Sequence, residues 1–197
     1  MTEPADMGDP GAGWDRWLDT YNARFQPAFA PDVRKPLRAF HDLALDVRAA
    51  GRKLILAGNG ASASLASHGR VDFQKQAGVR AIDFNEPNLI TAFANDYGFE
   101  HWVARAIEQS ADPGDAVVLI SVSGNSPNIV RAAEYAKSRA LPVVAFTGSA
   151  PDNKLRRLAD IDFWLESKAY NVVECVHAIW LTTVITMIVG RAECPVS

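Results

Sequence analysis

Paired cysteines, basic tracts and long uninterrupted apolar runs are all scarce in this 197-residue sequence. Its two cysteines, Cys175 and Cys194, stand far apart, one in an apolar run and one near the C-terminus. They form no C-x-x-C pair, which argues against a disulfide framework, a zinc ribbon or a dithiol redox motif. Twenty Lys and Arg stand against 23 Asp and Glu, a net charge of -3, and no basic cluster stands out. Nucleic acid is therefore not an expected partner. The opening residues Met1 to Asp6 have neither the basic start nor the apolar stretch of a secretion signal, so a cytoplasmic setting is expected. Only Val172 to Val189 is apolar for long enough to resemble a membrane span, and that length is at the short end of the roughly 17–25 residues needed. It carries Glu174, His177 and three threonines. An intramembrane carboxylate is costly, so a buried core or interface helix, with no membrane as partner, is the expectation.

What remains is an ordinary globular composition. With 48% hydrophobic residues, the chain can bury a substantial core as one domain. Residues 1–12 are rich in Pro, Gly and Asp and are expected to be flexible. Trp14, Trp17, Leu18, Tyr21 and Phe25 then recur at helical spacing over Trp14 to Phe29. Pro36 can sit in the first turn of a second helix, with Leu37, Phe40, Leu43, Leu45 and Val47 as its stripe and Gly51 as its end. These two helices predict an N-terminal helical hairpin packed on the domain or on another subunit.

Beyond Gly51 the pattern becomes strand, loop and helix in repetition. Strands are expected at Lys53 to Ala57, Val79 to Phe84, Ala116 to Ser121, Pro142 to Thr147 and Ile161 to Leu165. The first, third and fourth are near-continuous apolar runs, as parallel strands covered on both faces should be. Helices are expected at Ser64 to Gln76, Leu89 to Ser110, Pro127 to Ala140, Lys154 to Leu158 and Val172 to Val189. Such alternation predicts an α/β fold with a parallel sheet in a three-layer α-β-α sandwich. Ligands of these sheets bind beyond the carboxyl ends of the strands.

Two loops at such ends are rich in glycine and hydroxyls. The first strand runs into Gly58-Asn59-Gly60-Ala61-Ser62, and the third into Ser121-Val122-Ser123-Gly124-Asn125-Ser126 before Pro127. Glycine lets backbone N–H groups turn inward, hydroxyls donate hydrogen bonds, and the helix that follows supplies partial positive charge. Ser126 before Pro127 also reads as a helix N-cap. Both loops could instead be plain capping turns, but two of them in one sheet converge on one crevice and suit a phosphate monoester. A rival match is Gly58-x-Gly60-x-x-Ala63 with Asp83 about 20 residues on, the dinucleotide fingerprint and its ribose-binding acid. That fingerprint leaves the second serine loop without a purpose, and no nucleotide cofactor is expected.

With Ala94-Asn95-Asp96-Tyr97-Gly98 added, the two loops resemble the sugar isomerase (SIS) domain, and more narrowly the sedoheptulose-7-phosphate (phosphoheptose) isomerases. The resemblance covers nearly the whole chain and makes residues 13–197 a single SIS domain that includes helices within 13–50. It implies a five-stranded parallel sheet in flavodoxin-like order, a homotetramer with sites at subunit interfaces, and aldose–ketose isomerisation of a sugar phosphate. Carried over by position, the substrate contacts are Asn59, Gly60, Ala61, Ser62, Asn95, Asp96, Ser121, Ser123 and Ser126. Ala61 stands where the family has a second glycine. His68 and Asp72 fall at the family's His and Glu, while Glu174 and Thr182 replace its Gln and catalytic His. Some members of this group have lost the catalytic pair and bind a partner protein instead.

Isomerisation through an enediol needs one base for the carbon-bound proton and one group for the oxygens. His68 and Asp72, four apart, share a helix face, and so do Glu174 and His177, three apart. If both faces line one crevice, these groups form a rearranged set, with Asp72 or Glu174 as base and a histidine as acid. His68, Asp72 and Glu174 could also hold a zinc ion. At roughly 100° per residue, His177 lies to one side of Glu174 and Thr182 to the other, so His177 does not inherit the missing role directly. The bland alternatives are a surface His68, a solvated Asp72 and a core His177. A non-catalytic sugar-phosphate-binding or partner-binding protein is the alternative to the isomerase.

Overall fold

The computed structural model describes Gly8, Gly11 and residues 13–193. The expectation of a flexible 1–12 segment, apart from those two glycines, and Cys194 lie outside the described residues. Helix α1 (Trp14–Ala23) is followed by two 3-10 turns, Gln26–Phe29 and Pro31–Val33, and by α2 (Arg34–Ala49). The single helix expected to reach Phe29 therefore stops at Ala23. Pro27 and Pro31 remove backbone donors and crowd the preceding turn, which breaks the α-helical ladder.

The repeating part runs β1 (Lys53–Gly58), α3 (Ala61–Lys75), β2 (Arg80–Asp83), α4 (Pro87–Tyr97), α5 (Trp102–Ser110), β3 (Ala116–Ser121), α6 (Pro127–Ser138), β4 (Val143–Thr147), α7 (Lys154–Leu158), β5 (Ile161–Trp164) and α8 (Tyr170–Val189). The helix expected over Leu89 to Ser110 is two helices. Gly98, at φ 83°, ends α4 in a conformation that side chains disfavour. At its other end α4 begins before Leu89, because the Glu86 carboxylate accepts from the N–H groups of Asn88 (3.0 Å) and Leu89 (2.8 Å).

All five strands are parallel in the order β2-β1-β3-β4-β5, the flavodoxin-like order. Leu54 pairs with Ala81 on one side and with Ala116 on the other. Every residue of β1, β3 and β4 is buried, whereas the edge strands β2 and β5 are partly exposed. Alternation sends Leu54, Leu56, Val118 and Phe146 toward α2, α3 and α8, and sends Ile55, Val117, Leu119 and Val143 toward α5, α6 and α7. Phe146 and Phe163 stack at 4.5 Å, with Phe40 of α2 edge-on to both. The amino end of the sheet is closed by Lys53, whose Nζ lies 2.7 Å from Asp112 and 2.6 Å from buried Asp115. The carboxyl end carries the glycine and serine loops.

Candidate functional site

The strand order reverses between β1 and β3, so the loops that follow these two strands stand side by side. Each is held in shape from beneath. A Cβ on Gly58 would lie 2.7 Å from the Ser62 Cβ, so only glycine lets α3 start this close to the strand. Gly60 follows at φ 55°, and Ser62 N donates to Asn59 O (3.0 Å). In the second loop Gly124 sits at φ 63°, and a Cβ there would lie 2.0 Å from the Asn153 Oδ1. Leu155 N donates to Gly124 O (2.9 Å) and Lys154 N to the Asn125 Oδ1 (3.2 Å), which straps this loop to the start of α7.

Neither α3 nor α6 is capped by a side chain, whereas α4 and α7 are, by Glu86 and Asn153. Ser126 occupies the N-cap position of α6 as expected, but its hydroxyl turns to Ser121 Oγ (3.2 Å) instead of capping. Ser62 N and Ala63 N donate to Asn59 O and Gly60 O, Ile129 N donates to Ser126 O, and Pro127 has no N–H, so in the first turns the N–H groups of Ala61 and Asn128 are the ones left for water or for an anion. Ser121 and Ser62 are buried, while Ser123, Ser126 and Asn59 are partly exposed and Gly60 and Ala61 are exposed. A reciprocal pair of amide bonds joins the loops: Asn59 Nδ2 donates to Asn128 Oδ1 (3.0 Å) and Asn128 Nδ2 to Asn59 Oδ1 (2.8 Å). Asn128 and Asn153, both buried, are the residues that the sequence reading missed. Their signal was slight: one asparagine directly after Ser126-Pro127, the other directly before α7.

A cavity of about 150 Å³ lies on the β2 side of Asn59, walled by Gly58, Ala63, Ala66, Ile90, Phe99 and Trp102. Asp83 at its rim, the acid of the dinucleotide alternative, is held by Arg70 Nε (3.0 Å) and by Asn85 N (2.9 Å). Asn95 and Asp96 lie exposed on the last turn of α4, bonded to each other at 2.9 Å.

On α3, His68 Nε2 lies 2.9 Å from Asp72 Oδ2, with the imidazole 61% exposed and the carboxylate 19%. These two expected partners meet as the spacing implied. His68 shares an open groove with Ser64 of α3 and with Ala178, Ile179 and Thr182 of α8. The Thr182 hydroxyl donates back to Ala178 O (2.8 Å), so it is spent on its own helix.

His177 departs from the expectation. Its ring has no solvent exposure and lies against Phe146 (5.8 Å) and Trp180 (6.0 Å). Its Nε2 donates to Thr147 O (3.1 Å), and its Nδ1 has no partner. Burial, opposed only by that hydrogen bond, pushes the imidazole down to about 4. The ring packs on the sheet while Glu174, three residues earlier, is partly exposed, so the two do not present one face to the crevice. Among the described residues no three His, Cys, Asp or Glu side chains converge as a metal site. One chain therefore does not gather the expected zinc set His68, Asp72 and Glu174.

The SIS domain family matches residues 17–148. The phosphoheptose isomerase of Fusobacterium nucleatum is 36% identical over 141 residues, 68% of this chain and 72% of that protein. That of Trichlorobacter lovleyi is 33% identical over 156 residues, 76% and 79% of the two chains. Among solved structures, phosphoheptose isomerase GmhA from Neisseria gonorrhoeae superposes with a TM-score of 0.77 at 25% identity, covering 89% of this chain and 99% of that one.

Proposed function

Given that the chain belongs to the SIS domain family, we propose that it is a cytoplasmic phosphosugar isomerase that interconverts sedoheptulose 7-phosphate, or a closely related sugar phosphate, with its aldose. The observation that carries this reading is the pair of glycine–serine loops at the carboxyl ends of adjacent β1 and β3, each opening a helix without a side-chain cap. Backbone N–H groups, Ser123, Ser126 and Asn59 then receive the phosphate, with the helix dipoles favouring its charge. Asn95 and Asp96 are assigned to sugar hydroxyls.

The reaction moves a proton from the carbon beside the carbonyl to its neighbour through an enediol, with no net oxidation. Asp72 takes that proton and returns it, and His68, bonded to Asp72, serves the two oxygens. Glu174 is the second carboxylate within the proposal. His177 leaves the catalytic set, because a sealed ring cannot touch substrate. No step runs through zinc, whose three expected ligands do not converge within one chain among the described residues. A homotetramer is part of the same reading: α8 is strongly apolar on average, yet only 44% of its most apolar window is covered within one chain.

A second reading, a sugar-phosphate-binding or partner-binding regulator, draws on one observation. No acid–base group occupies the Thr182 position, and that hydroxyl is turned onto its own helix. Incubation with sedoheptulose 7-phosphate in deuterated water, followed by NMR at the carbon beside the carbonyl, separates the two. The isomerase incorporates deuterium, and Asp72→Asn or Glu174→Gln lowers the rate by about 100-fold or more. Wild-type protein that binds the sugar phosphate without exchange, with and without added zinc, is the regulator instead.

A further inference from the structure

The reciprocal amide pair between Asn59 and Asn128 takes no part in proton transfer, yet it is the side-chain link from one loop to the other. Asn128 is the second residue of α6 and is 1% exposed, so the helix and its packing hold the amide in one orientation. Asn59 lies in the first loop and is partly exposed. Without a partner its side chain would be free to rotate. A primary amide has two N–H donors and an oxygen with two lone pairs. Each partner spends one donor and one lone pair on the other, which leaves Asn59 a second Nδ2–H whose direction Asn128 sets. Gly58 and Gly124 fix the shape within each loop. Neither glycine fixes the gap between them.

We propose that Asn128 is a positioning residue: through the paired amides it aims the remaining Asn59 N–H and holds the two loops at the separation that lets both address one phosphate. This rests on the reading of the loops as a sugar-phosphate site. The loss falls on binding of a group that does not react, so ground state and transition state suffer alike, and KM changes while kcat does not. A hydrogen bond to a charged group carries a factor of about 10 to 100 in affinity.

The test is a cycle of wild type, Asn59→Ala, Asn128→Ala and the double variant, read as KM, kcat and calorimetric Kd for sedoheptulose 7-phosphate. Asn128→Ala raises KM and Kd about 10-fold or more with kcat within about 3-fold. In the Asn59→Ala background the same change adds less than about 2-fold, because its target is already gone. An unchanged KM in Asn128→Ala, or full additivity in the double variant, overturns the proposal. Asn128→Ser, which keeps a small polar group at the site, replaces the alanine variant in the cycle if circular dichroism shows the latter unfolded. Wild-type protein that binds without turnover sinks the isomerase reading alone, and the cycle is then scored in Kd. Wild-type protein that does not bind the sugar phosphate sinks both.

Discussion

His177 shows how far one residue can depart from its sequence neighbourhood. Its spacing from Glu174 placed it on a chemical face, yet the helix turns it onto Phe146 and Trp180. A buried neutral imidazole at about 4 couples stability to pH. The unfolded chain takes up a proton near 6.5, and the folded chain does not until about 4. Protons therefore favour unfolding between those values: the contribution is whole above 6.5 and is lost as pH falls toward 4. The expected loss across that window is about 2–3 kcal/mol. Urea titrations at pH 7.5 and 4.5 measure it, and in His177→Gln the pH dependence shrinks by most of that amount. His68 and Asp72 behaved oppositely. Four-residue spacing on a helix fixes their neighbourhood whatever the rest of the chain does, so their contact was legible in advance.

At the scale of elements, the strands were read well because a parallel strand covered on both faces is apolar at every position, as in β1, β3 and β4. The errors fell where one residue stops a helix: Pro27 after α1, and Gly98 between α4 and α5. The same logic makes the second loop fragile. Gly124→Ala puts a methyl into buried Asn153 and forces a side chain to φ 63°. The two costs together come to about 2–4 kcal/mol. Urea unfolding reads that loss directly. Thermal shift with sedoheptulose 7-phosphate then shows a smaller rise for the variant than for wild type, since α7 no longer seats the loop. A wild-type unfolding midpoint in Gly124→Ala would mean that the loop is not braced by Asn153.

At the scale of the whole molecule, the 2-1-3-4-5 order places the loops after β1 and β3 side by side at the carboxyl edge of the sheet, where α3 and α6 begin before packing on opposite faces. A ligand held by both loops stabilises the folded state by about 2.7 kcal/mol at a concentration 100 times its Kd. Sedoheptulose 7-phosphate should therefore raise the melting temperature by several degrees, while NAD at the same concentration leaves it unmoved. Equal shifts from both would revive the dinucleotide alternative. The incompletely covered α8 extends the same reasoning to assembly. Light scattering on the purified protein is expected to give the mass of four chains, and a monomer at micromolar concentration would remove the homotetramer from the reading.

The chain's own pattern determined the layers, the parallel sheet, the two loops and the His68–Asp72 contact, because each follows from local chemistry: apolar runs, glycine, capping positions and helical spacing. Which groups face each other across long separations was decided only by tertiary packing. It paired Asn59 with Asn128, seated Gly124 on Asn153, turned Ser126 to Ser121 and shut His177 into the core. The reason is physical. A polar side chain in the interior can pair only with what packing brings within reach, and that is set by how strands and helices stack, to which sequence spacing is blind.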